Sequence, residues 1–159
     1  MKIWLKLAAT AATVVALAGC AGPQYQSLQG RMPPIAQGDG RIYFYQPQAQ
    51  ASAAAVAQQK LRVNGDVVGR NKPGSFFFVD RPAGSYVVTN LYWTGDGVSF
   101  TLDPGQTRYV RIKAESLGST GTVGKLSMEM VDPPELAETE LLKMRYWGAA
   151  TPEQAPGLR

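Results

Sequence analysis

Between Arg41 and Met130 the chain is cut into short β-prone runs by turn-forming residues, and this punctuation constrains the fold more than any other feature. Asn64-Gly65 stands between Leu61-Arg62-Val63 and Asp66-Val67-Val68. Because both turn residues tolerate positive φ, this is a strong local hairpin signal. Arg41 to Gln46 reads as a first strand that Pro47 either ends or marks as an edge, and Ser75 to Val79 as another, ended by Asp80-Arg81-Pro82-Ala83-Gly84. Ser85 to Trp93, Val98 to Leu102, Thr107 to Lys113 and Leu126 to Met130 follow. In the last two, apolar and polar residues alternate, with Val110 and Ile112 expected inward and Tyr109, Arg111 and Lys113 outward. The fold expected is mainly β: an antiparallel β-sandwich of about seven or eight strands.

One segment breaks the period. Asp132 to Gly148 starts with a capping residue and two prolines, carries acids early and Lys143 and Arg145 late, and ends on glycine. It predicts a C-terminal α-helix, with Asp132 as cap and Pro133 at the first helical position. Its apolar stripe, Ala137, Leu141 and Met144, is expected to lie on the sheet. Residues 48–59 are alanine-rich but too short for a stable isolated helix, so they read as a long loop with a helical turn. Phe76, Phe77 and Phe78 cannot all face one side of a strand. Either both faces of that sheet are covered, by the C-terminal helix among others, or a ring is exposed.

Ahead of the β region, a basic start with Lys2 and Lys6 precedes an apolar run from Leu7 to Ala18. This run is shorter than the roughly 20 residues needed to cross a bilayer and matches the length of a signal-peptide core. It ends in Leu17-Ala18-Gly19-Cys20, where the only cysteine follows small residues. The tetrapeptide resembles the lipobox of bacterial lipoproteins, which implies acylation of Cys20 and removal of residues 1–19. Two or more acyl chains give firm attachment. Ala21 in place of an aspartate favours, by the same resemblance, the outer membrane facing the periplasm. The remaining domains expected are Cys20 with a flexible tether over 20–40, a folded domain over 41–148 and a disordered tail over 149–159.

Losing Lys2 and Lys6 takes the basic count from 16 to 14 against 12 acids, so the mature net charge is +2. The basic residues are spread thinly, which argues against nucleic acid as a partner. There is no histidine, which removes His-based acid/base, Ser/His/Asp, Cys/His and His-metal chemistry. No cofactor or metal is expected. Asp66, Asp80, Asp96 and Asp103 are placed in turns, where aspartate bonds nearby amides.

Taken in order, Arg41-Ile42-Tyr43-Phe44-Tyr45, Val63-Asn64-Gly65, Phe76-Phe77-Phe78-Val79-Asp80, Pro82-Ala83-Gly84-Ser85-Tyr86 and Gln106 to Arg111 resemble a family of small bacterial lipoproteins. The resemblance runs over about residues 40–131 and is to their uncharacterised β-sandwich domain. Gln46 departs from the arginine common before the proline, and Ala83 from a second proline. The Pro82-Ala83-Gly84 turn is also similar to that of PEGA-type extracellular β-sandwich modules, which serve as scaffolds and adhesion parts. The resemblance implies location and architecture and transfers no catalytic residue. The function expected is a membrane-anchored, non-enzymatic binding or accessory module for an envelope protein complex. The alternative is binding of peptidoglycan or another envelope glycan through exposed aromatics, with Tyr43, Tyr45, Tyr92 and Trp93 as the candidate surface. A hydrolase using carboxylates alone ranks third.

Overall fold

The computed structural model describes residues 22–48, 58–90, 97–117 and 122–148. Nine strands among them form two sheets. In chain order the elements are α1 (Tyr25–Leu28), β1 (Asp39–Gln46), β2 (Lys60–Val63), β3 (Asp66–Arg70), β4 (Ser75–Pro82), β5 (Gly84–Thr89) and β6 (Val98–Leu102), then β7 (Thr107–Leu117), β8 (Thr122–Met130), α2 (Pro134–Leu141) and β9 (Arg145–Tyr146). One sheet has the order β8-β7-β1-β4-β9 and the other β3-β2-β5-β6. The fold is the mainly β sandwich expected, but with nine strands among the described residues and not wholly antiparallel: in the larger sheet β1 pairs with β7 and β4 with β9 in parallel.

Alternation along β1 decides what each face meets. Gly40 lies so close to Leu102 of β6 that an added Cβ would sit 2.6 Å from its Cγ, so the even-numbered residues of β1 face the smaller sheet. Ile42 and Phe44 therefore join Phe77, Val110 and Ile112 in the layer between the sheets, opposite Leu61, Val63, Val88 and Leu102. Phe44 and Phe77 stack at 5.0 Å, and the Phe77 ring fills the space a side chain at Gly69 would need. The odd-numbered face carries Tyr43, Tyr45, Phe76, Phe78 and Tyr109, and it is buried too, under α1 and α2. Both sides of the three-phenylalanine run are thus covered.

The hairpin at Asn64-Gly65 forms as expected, with φ of 49° and 91° at its two central residues. Helical spacing puts the apolar stripe Ala137, Leu141 and Met144 on one side, and all three are buried. The helix itself is shorter than expected. Pro134, not Pro133, takes the first helical position, Asp132 provides no cap, and the helix ends at Leu141. Arg145 and Tyr146 leave it because an extended pairing with Ser75 and Phe76 buries the Tyr146 ring edge-on against Phe76, 5.6 Å between centroids.

The tether expected over 20–40 is corrected from Gly22 onward. Tyr25 and Leu28 are buried in the core, Tyr25 N–H donates to the Met144 carbonyl, and Tyr146 N–H donates to the Pro23 carbonyl. The segment lacks strand or helix periodicity because a single helical turn suffices to place its two apolar anchors. Leu17 to Cys20, residues 49–57, Tyr92, Trp93, Asp96 and the tail over 149–159 lie outside the described residues.

Candidate functional site

Strand register assembles the main polar cluster. Tyr45 on β1 is level with Arg111 on β7, and Arg111 is paired with Glu129 on β8, so the three side chains form a row across the sheet beneath α2. From the helix, Glu140 meets the Arg111 guanidinium in a fork: Nη2 donates to Oε1 at 2.6 Å and Nε to Oε2 at 2.9 Å. The remaining Arg111 nitrogen, Nη1, donates to Glu129 Oε1 at 2.6 Å, and Lys113 Nζ donates to the other Glu129 oxygen at 2.7 Å. The Tyr45 hydroxyl donates to Glu140 Oε2 at 2.8 Å, and two residues earlier on α2 Glu138 accepts from the Tyr109 hydroxyl at 3.0 Å.

The electrostatics follow from these contacts. Burial works against the Arg111 charge, yet its hydrogen bonds to Glu140 and Glu129 hold its pKa above the ordinary value. Lys113, then Arg111, holds Glu129 below the usual carboxylate range. Burial, reinforced by Glu140 at Tyr45 and by Tyr25 and Glu138 at Tyr109, pushes both phenols up. Arg111 and Glu129 are thereby held charged and the two phenols protonated, which suits a clamp between helix and sheet better than proton transfer.

A second charged pair ties the N-terminal segment to the same face. Arg41 Nε and Nη2 reach the two Asp80 oxygens at 2.7 and 2.8 Å, and Nη2 also donates to the Pro33 carbonyl at 2.8 Å. The guanidinium lies 4.2 Å from the centre of the Phe78 ring. Between the sheets, Asn71 donates to Gln46 Oε1 at 2.8 Å and accepts from the Gln59 backbone at 2.7 Å.

Two clefts adjoin at the β9 end, sharing Gln48, Gly74 and Arg145. The larger, about 480 Å³, lies beside the end of α2 with Glu140, Lys143 and Met144 in its wall. The smaller, about 160 Å³, is bounded by Gly22, Lys72 and Trp147. Glu140 is the sole carboxylate among the described residues of either lining, and Arg111 and Tyr45 already occupy it. The described residues contain no group of three or more His, Cys, Asp or Glu placed to hold a metal ion, and no helix among them is long and apolar enough to cross a membrane.

Of the aromatic surface expected, Tyr43 and Tyr45 are corrected to core positions, 5 % and 1 % exposed, because α1, α2 and β9 cover their face. Asp80 is likewise a strand residue paired with Arg41, not a turn residue. Asp103 does sit in a turn: its N–H donates to the Gln106 side-chain oxygen, and its carbonyl accepts from the Gln106 N–H. Tyr109 and Arg111 do point away from the smaller sheet, as the alternation implies, but into the helix-covered layer and not into water. The Arg111 cluster was not foreseen. Its one local signal is the strand alternation that puts Tyr45, Arg111 and Glu129 on a shared type of face.

No curated protein and no solved structure matches the chain. Over residues 36–124, more than half its length and ending within β8, the chain matches the model of the family described as "Protein of unknown function (DUF2846)", and it belongs to that family.

Proposed function

We propose that this chain is a lipid-anchored protein of the bacterial envelope, held through Cys20, that serves as a non-enzymatic binding or accessory module for an envelope protein complex. Its proposed place is the outer membrane, facing the periplasm. The observation that carries the non-enzymatic reading is the engagement of the internal charges with one another. Glu140 is forked by Arg111, Asp80 by Arg41, and Glu129 is shared between Arg111 and Lys113. A general base must be free to take a proton from a substrate, and a general acid must be able to give one up near working pH. These carboxylates are committed as acceptors, and the buried tyrosines are held protonated.

The anchor reading is supported by the order of basic start, apolar run and Leu17-Ala18-Gly19-Cys20. The test is chemical cross-linking in the native host, followed by capture of the tagged protein from gently solubilised membranes. One envelope protein recovered repeatedly, and lost when Cys20→Ser is substituted, is the expected result. Hydrolysis of envelope polymers by the purified protein would overturn the reading, as would co-sedimentation with peptidoglycan sacculi in the absence of any protein partner.

A further inference from the structure

The described residues begin at Gly22, two positions after Cys20, which places this end of the body within short reach of any acyl group on the cysteine. Successive Cα atoms are about 3.8 Å apart, so the Gly22 Cα lies no more than about 7.6 Å from that of Cys20. Gly22 is fixed to β9: Arg145 Nη1 donates to its carbonyl at 3.1 Å, and a Cβ at this position would run into the Tyr146 carbonyl. The anchor therefore leaves the body beside β9.

Three cations gather at this end. Lys72 and Arg145 border the cleft that Gly22 lines, and Lys143 joins Arg145 along the adjoining one. Among the described residues none of the three is in an ion pair, unlike Arg41, Arg111 and Lys113. Lys143 and Arg145 are exposed, and the Lys72 ammonium stands 3.7 Å above the ring of the half-buried Trp147. Among the described residues lining these clefts the one carboxylate, Glu140, is turned to Arg111. Cations attract anionic headgroups over short distances, and tryptophan favours the headgroup level of a bilayer.

We propose that the β9 end, with Lys72, Lys143, Arg145 and Trp147, is a membrane-facing surface that lies against anionic phospholipid headgroups and sets the orientation of the domain. This rests on the anchor reading at Cys20. In place of a body swinging on a leash, the protein lies with this end down and its opposite parts directed away from the bilayer.

The test uses acylated protein carrying Trp93→Phe, so that Trp147 reports once Trp4 has left with the leader, reconstituted into vesicles of phosphatidylethanolamine with phosphatidylglycerol. Lipids brominated high on the acyl chain are expected to quench Trp147 emission about twofold, and high salt or Lys72→Glu with Lys143→Glu to relieve most of that. In the unsubstituted protein, hydrogen exchange over residues 143–147 is expected to slow on the same vesicles. Emission indifferent to the brominated lipid, with exchange unchanged, in a sample whose Cys20 is acylated by mass spectrometry, overturns the membrane-facing surface alone. A bare Cys20 in that sample overturns the anchor reading and this inference with it.

Discussion

Replacing Asp80 with alanine leaves the Arg41 guanidinium buried without its counter-charge. The side chains are 5 % exposed at Arg41 and 15 % at Asp80, and the substitution removes two charge-assisted hydrogen bonds at once. Breaking a buried ion pair from one side costs roughly 3–5 kcal/mol, because the surviving charge stays desolvated. Arg41 keeps the Pro33 carbonyl and the Phe78 ring, and Asp80 retains some solvent, so the low end applies, about 3 kcal/mol. At about 4 °C per kcal/mol for a domain of this size, melting should fall by about 12 °C. The assay is urea unfolding followed by circular dichroism, alongside a thermal melt. A companion variant, Arg41→Met with Asp80→Leu, replaces both charges with apolar groups and should lose about 1 kcal/mol or less. An Asp80→Ala protein within about 0.5 kcal/mol of the parent, or a double variant as unstable as the single one, would refute the argument that the pair is buried and mutually dependent.

Leu141→Ala removes a fully buried side chain beneath α2 and should cost about 2–5 kcal/mol in urea unfolding, with the helix loosened from the sheet. Gly65→Val meets no atom within 4 Å, so its cost is backbone strain alone at φ of +91°, about 1–2 kcal/mol, and Gly65→Asn should restore much of it. Burial raises the pKa of Tyr25 to about 12 and also raises those of Tyr43, Tyr45, Tyr86 and Tyr109. Above pH 10 the unfolded chain gives up these protons while the fold retains them, so stability is full below that value and falls as pH rises through about 12 and beyond. Urea midpoints measured from neutral to alkaline pH check this; a flat profile above pH 10 would show the phenols to be solvated.

The parts legible in the residues were those decided locally. Asn64-Gly65 specifies its hairpin through two backbone angles, and Val98 to Leu102 is bracketed in sequence by the turn-forming residues Thr94-Gly95-Asp96-Gly97 and Asp103-Pro104-Gly105. Ala137, Leu141 and Met144 could be read as a buried stripe because helical spacing is a property of the segment itself. Alternation also separates Tyr43 and Tyr45 from Phe44, but it cannot tell whether their face is wet. That depends on α1 and α2, which arrive from opposite ends of the chain. The same distance hid the Arg111–Glu140 fork, whose partners are 29 residues apart, and the Arg41–Asp80 pair, 39 apart. Arg145 and Tyr146 continue a helical pattern in sequence, yet pairing with β4 wins because it buries an aromatic ring and satisfies backbone groups together.

The central claim is that a fatty anchor at Cys20 holds this sandwich to the envelope, and intact-mass and fragment spectra of protein taken from native membranes test it most directly. The account predicts a chain that starts at Cys20 with a diacylglyceryl group on Sγ. An unmodified thiol, in a chain whose leader was cut at another bond or not at all, would contradict it.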